Sequence, residues 1–333
     1  MNTYLSEALE IADNKAKYDA QVKKILADKN ILAWILKHCA KEFMDLEIEE
    51  IKQCIEGEPE ISSVPVYPGR TFDKITGLST EDSVPNEGSV TYDIRFFVML
   101  PQEERKEEKT EYIKLFINVE AQKEYYPGYD LVTRCMFYLA RQISAQLDTE
   151  FTPDNYDNMK KVYSIWICMD TPKYAENTIT KYEMQQVPIV GNFKGNARYD
   201  LMTGVMVCLG KELCQEKGSL IHLLGTLLTN ELSPKGKEEI LKETYDIAVS
   251  KPSKEVLGKM CNLSELIEEK GIEKGRIEGK EEGRIEGKLE GIIQMSFEFG
   301  LSEEQILERL QKKENLTLEK AKKYLKLYKE KTL

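Results

Sequence analysis

Between Thr91 and Tyr129 the sequence alternates apolar and polar residues twice, across a charged connection: TYDIRFFVML, PQEERKEEKT, then EYIKLFINVEAQ. A period of two is the mark of a strand, and two such runs joined by a polar link read as a β-hairpin. Ile94, Phe96, Val98 and Leu100 share one face of the first run, and Ile113, Leu115, Ile117 and Val119 share one face of the second. Asp93 and Arg95, with Lys114, Asn118, Glu120 and Gln122, fall on the other. The pairing that superimposes the two apolar faces sets Asp93 opposite Glu120, Arg95 opposite Asn118 and Met99 opposite Lys114. A slip of one residue would turn one apolar set to the wrong side.

Side chains directly opposite in a hairpin have Cβ atoms about 4.5–5.5 Å apart. Two carboxylates at that spacing repel unless a cation lies between them. Mg²⁺ favours hard oxygen ligands, commonly one or two carboxylates completed by waters. Asp93 and Glu120 are therefore the expected metal ligands, with Gln122 beside them able to donate and accept. The competing reading is a solvated polar face on an ordinary hairpin, and on either reading this face is expected to look toward solvent.

The order Asp93, hairpin, Glu120-Ala121-Gln122 and then a long helix resembles the core of the PD-(D/E)XK nucleases. More narrowly, INVEAQKEYYPGYDLVTRCMFY is similar to the recombination-promoting nuclease and transposase group of that superfamily. That group carries Glu-x-Gln where other members carry Glu-x-Lys. The resemblance spans about residues 31–209. It implies an α/β fold with a restriction-endonuclease-like core, a central mixed sheet flanked by helices. It also implies an Mg²⁺-dependent DNA endonuclease, with Mn²⁺ as a substitute. Asp93, Glu120 and Gln122 would be the catalytic residues, with Glu42, an acid on the helix preceding the sheet, as a fourth. The alternative is a nuclease fold kept as a non-catalytic binding or assembly module.

Composition narrows the other classes. Seven cysteines, an odd count without a Cys-x-x-Cys, read as reduced core residues of a cytoplasmic protein. With two histidines, His38 and His222, a zinc array or histidine acid–base chemistry is not expected. No apolar run reaches the ~18 residues of a membrane span. A net charge of −11 argues against a surface coated in positive potential, but a local basic groove suffices for DNA.

The remaining chain reads as follows. Residues 1–30 form an N-terminal helical segment to which no function is assigned. Residues 31–210 are the nuclease-like core, and its Gly- and Pro-rich loop carries Asp73 and Asp82, read chiefly as turn residues. In the helix after the hairpin, Leu131, Val132, Cys135, Met136, Leu139, Ile143 and Leu147 recur at helical spacing and are expected to cover the sheet. Arg134, Tyr138 and Arg141 share another face. They are the expected DNA contacts, unless Arg134 simply pairs with Asp130. KVYSIWICM (161–169) reads as a buried central strand, followed by strands at 178–184 and 200–210.

Residues 211–262 are a helical extension. Residues 263–291 carry glycine every fourth position from 271 to 291, a spacing that permits close helix approach, so the C-terminal tail is a candidate for homo-oligomer formation. Residues 292–333 read as a small helical hairpin that opens with the capping pair Ser302 and Gln305.

Overall fold

The computed structural model describes residues 4–61, 81–84, 88–102, 111–195, 197–229, 231–314 and 316–332. The chain divides into two compact units, Met1–Glu265 and Leu266–Leu333. The first opens with α1 (Tyr4–Leu26), α2 (Lys29–Cys39) and, after a 3-10 turn at Lys41–Phe43, α3 (Ile48–Cys54). The Asp28 carboxylate accepts from the Asn30 N–H and so satisfies one of the amides that the start of α2 leaves unpaired. Next come β1 (Glu60–Ile61), β2 (Glu81–Val84), β3 (Gly88–Thr91), β4 (Ile94–Gln102), β5 (Glu111–Glu124) and α4 (Leu131–Ser144). They are followed by β6 (Lys161–Asp170), β7 (Thr178–Glu183), β8 (Met202–Cys208), α5 (Leu220–Leu228) and α6 (Pro234–Tyr245). Of the two loop acids, Asp82 falls on β2 and Asp73 lies outside the described residues.

The architecture is mixed α/β. One sheet has the order β1-β4-β5-β6-β8-β7, and β2 pairs with β3 separately. The hairpin register is the one that superimposes the apolar faces: Ile94 opposite Val119, Arg95 opposite Asn118, Met99 opposite Lys114. β5, β6 and β8 run parallel, whereas β1, β4 and β7 join antiparallel. Parallel neighbours need a crossover, and α4 is the one between β5 and β6. β6 lies between two parallel partners and is buried from Lys161 to Cys168, as its unbroken apolar run requires.

Both faces of the sheet are covered. On one, Ile94, Phe96, Val98, Leu115, Ile117, Val119, Ile165 and Ile167 are buried. On the other, α4 lies over Phe116, Val162, Trp166, Cys168, Met206 and Cys208 through Leu131, Cys135, Tyr138 and Leu139. It sits close: a Cβ on Gly204 of β8 would stand 2.7 Å from the Cys135 Sγ, so a larger residue there would force that side chain or the helix to shift.

The covering stripe differs from the expected one. Met136 and Leu147 are exposed, and Tyr138, Gln142 and Gln146 are buried in their place. The reason is the polar face of the hairpin. It is not an outer face; α4 lies across it, and buried polar groups need partners. Gln142 Nε2 donates to Asn118 Oδ1, and Gln146 exchanges two hydrogen bonds with the Lys160 backbone.

The helix α7 runs from Lys251 to Glu298, followed by α8 (Glu303–Glu314) and α9 (Leu318–Thr332). Within the second unit, Leu289, Ile292, Ile293, Ile306, Leu310, Ala321 and Leu325 form one small core. Ser302 and Gln305 make the reciprocal capping bonds their spacing predicts. A Cβ on Gly279, Gly283, Gly287 or Gly291 would meet nothing within 4 Å. All seven cysteines are free, and no helix among the described residues is long and apolar enough to cross a membrane.

Candidate functional site

Asp93 is the residue before β4, and Glu120 lies on β5 where the ladder would continue. Their side chains extend that ladder. The Asp93 N–H donates to Glu120 Oε1 at 3.2 Å, and the Ala121 N–H donates to Asp93 Oδ2 at 2.9 Å. Asn118 Nδ2 donates to the same Glu120 oxygen at 3.0 Å, and Gln142 of α4 holds Asn118 in turn at 2.6 Å. Glu120 is only 3% exposed. Its Oε1 is thus fixed by two donors, one of them braced by Gln142, while its Oε2 has no protein partner among the described residues.

The electrostatics follow from burial. Desolvation, and then the charge of Asp93, push the Glu120 carboxyl well above the usual glutamate range; hydrogen bonds from Asp93 and Asn118 and the nearby Arg134 only partly oppose this. Desolvation also raises Asp93, although Lys23 pulls it back. Lys23, on α1, places its ammonium 2.8 Å from Asp93 Oδ1 and 2.8 Å from Asp19 Oδ2. Burial alone would lower the Lys23 pKa, but the two carboxylates reverse that and the net shift is upward.

This donor set fits a hard divalent cation in one respect and limits it in another. Two carboxylates that hydrogen bonds hold together, one with an oxygen unclaimed by protein, match what Mg²⁺ takes when waters complete its shell. Among the described residues no group of three or more His, Cys, Asp or Glu side chains gathers, so the protein offers the pair alone.

The other residues singled out from the sequence are placed differently. Gln122 follows on the same face of β5, half-buried, and its amide donates to the Glu124 carbonyl at 2.6 Å. Glu42 is not brought to the pair. It accepts from Lys161 Nζ at 2.9 Å and from the Tyr163 hydroxyl at 2.6 Å. Tyr163 points to the face opposite Trp166, the partner of Glu120, and Lys161 pairs with Leu115, five positions along β5. At about 3.3 Å per residue, that is roughly 16 Å away and through the sheet.

Arg134 does lie beside the pair. It donates to the Tyr129 hydroxyl at 2.7 Å and the Tyr138 hydroxyl at 2.6 Å, and its guanidinium stands over the Tyr129, Tyr138 and Trp166 rings. It makes no ion pair with Asp130, whose carboxylate caps α4 by accepting from Thr133. Tyr138 and Arg141 are buried, so neither presents a surface to a polymer. They share the helix face of Arg134, but that face turns toward the sheet.

Sequence reasoning missed Lys23, Asn118 and Gln142. Lys23 carried a signal: it sits in the buried stripe Tyr18, Val22, Ile25, Leu26 of α1, and a lysine on an apolar helix face implies a partner. Comparison with protein-family models, with curated proteins and with solved structures finds no match to this chain.

Proposed function

We propose that the chain is an Mg²⁺-dependent DNA endonuclease of the PD-(D/E)XK type, with Asp93 and Glu120 as its metal ligands. The observation that supports it is the carboxylate pair, Glu120 buried and Asp93 half-buried, held by hydrogen bonds that leave Glu120 Oε2 unclaimed. Bound there, Mg²⁺ would polarise the scissile phosphate and supply an activated water. Asn118 and Gln142 keep Glu120 in one orientation. Lys23 offsets one of the two negative charges. Arg134, already oriented by two tyrosine hydroxyls, contacts a non-bridging phosphate oxygen. Gln122 orients the water or the phosphate and takes no proton, because an amide does not ionise near neutral pH.

The second reading, a non-catalytic nuclease fold, draws on the same ion pair: Lys23 already neutralises Asp93 without any metal. Incubating the full chain with plasmid and single-stranded DNA in Mg²⁺ or in EDTA separates the two. Cleavage in Mg²⁺ alone is the expected result. Intact DNA in both conditions favours the second reading.

A further inference from the structure

Beside the carboxylate pair opens a cleft of about 630 Å³ lined by Thr91, Tyr129, Asp130, Thr133, Arg134, Phe137 and Tyr138. Thr91 stands two residues before Asp93, and the field of Arg134 reaches Glu120. One wall of the cleft is packed aromatic side chains. Tyr138 meets Tyr92 edge-on and leans on Trp166. Its rim is aromatic and open: Tyr129 and Phe137 are each 51% exposed. Through Tyr129 and Asp130 it joins a second hollow of about 300 Å³, where Tyr126 and Tyr174 stand exposed with their hydroxyls 2.5 Å apart. Phe137, Tyr129, Tyr126 and Tyr174 thus border two adjoining hollows.

Four large aromatics exposed along two adjoining hollows form a patch, and a contiguous exposed apolar patch marks a binding surface where single exposed residues do not. A base offers a flat partner, but only when it is unstacked, because a duplex turns its base faces inward. Aromatic platforms of this kind bind single strands with little regard to sequence. Among the described residues Arg134 is the one cation lining the first hollow and no lysine or arginine lines the second; Asp130 lines both, its carboxylate capping α4. A duplex tracked by its two phosphate rows would need more cations. Arg134 also has donors to spare: of its five N–H groups two hold tyrosine hydroxyls, and no carboxylate pairs with it among the described residues.

We infer that the aromatic hollows beside Asp93 and Glu120 bind an unpaired strand, stacking bases on Tyr129 and Phe137 and seating one phosphate on Arg134, so that single-stranded nucleic acid is the substrate class. The inference rests on the proposed nuclease reading for the word substrate, and not for the binding itself.

The test is fluorescence anisotropy of the full chain in EDTA with a labelled single-stranded oligonucleotide and with the duplex of the same sequence. The single strand should bind at least tenfold tighter. Its affinity should fall with salt at a log–log slope near −0.7, about one phosphate's worth for a single strand. Tyr129→Ala and Phe137→Ala should each weaken it roughly 5- to 100-fold, the effect of losing one stacked ring, while Phe137→Trp retains it. Duplex binding as tight as single-strand binding overturns the inference, as do alanine variants that bind like the parent. In the parallel cleavage assay, digestion of duplex only would overturn the inference and leave the nuclease reading standing. Tight single-strand binding without cleavage of any DNA would do the reverse.

Discussion

Glu120→Gln should abolish cleavage and, in the same protein, raise the melting temperature measured in EDTA at pH 8. The two effects share one cause. Glu120 is a buried charge beside a second carboxylate, and Asn118 with the Asp93 N–H stabilises only one of its oxygens. Glutamine keeps that acceptor and turns its NH₂ toward the position Oε2 leaves unclaimed. Desolvating a buried ion costs several kcal/mol even after relaxation, so the neutral amide should recover on the order of 1–2 kcal/mol, and each kcal/mol is about 2–4 °C in a domain of this size. The pH dependence has a definite sign. Burial and Asp93 raise the folded pKa of Glu120 above its ordinary value of about 4.3. The protonated carboxyl therefore stabilises the fold below that value, and this is lost as pH rises through the folded pKa. The advantage of Glu120→Gln should be largest at pH 8 and fade toward pH 4. A variant that melts at or below the parent at pH 8 would show that the pair is not under strain.

Lys23→Met should destabilise the metal-free protein by about 3–5 kcal/mol, the usual effect of removing one partner of a buried ion pair. That corresponds to roughly 6–20 °C in melting temperature. The methionine fills the space, so the loss is electrostatic: Asp93 would stay beside Glu120 with no ammonium between it and Asp19. Adding Asp93→Asn removes the stranded charge, and the double variant should regain much of the loss. Non-additivity of this kind is the mark of direct coupling. Urea unfolding of the parent, both single variants and the double variant measures it. Additive losses would place the two residues in separate roles and leave α1 without a part in the site.

What the sequence made legible, and what it hid, divides along a physical line. The hairpin and its register were readable because period-two alternation on both runs admits one pairing that buries both apolar faces. The carboxylate pair came with the register. Its burial did not, because the lid is α4, and which face of a sheet a helix covers is decided by tertiary packing. The same ignorance misplaced the covering stripe. Helical spacing correctly grouped Arg134, Tyr138 and Arg141, yet nothing in it says that the group turns inward. Glu42 was chosen for its place at a helix end, which carries no information about sheet face or strand position. Lys23 lies 70 residues from Asp93, and only the fold brings the two within 2.8 Å.

Mn²⁺ tests, without any substrate, whether Asp93 and Glu120 hold a divalent cation as proposed. Free Mn²⁺ gives a strong EPR signal that is lost on binding to oxygen ligands. Titrated against the full chain, the parent should remove about one equivalent of Mn²⁺ per chain, as a site of two carboxylates completed by waters would. Mg²⁺ should restore the free signal, and Glu120→Gln and Asp93→Asn should each leave the Mn²⁺ in solution. Equal binding by the parent and both variants, or no binding by the parent, would contradict the proposal.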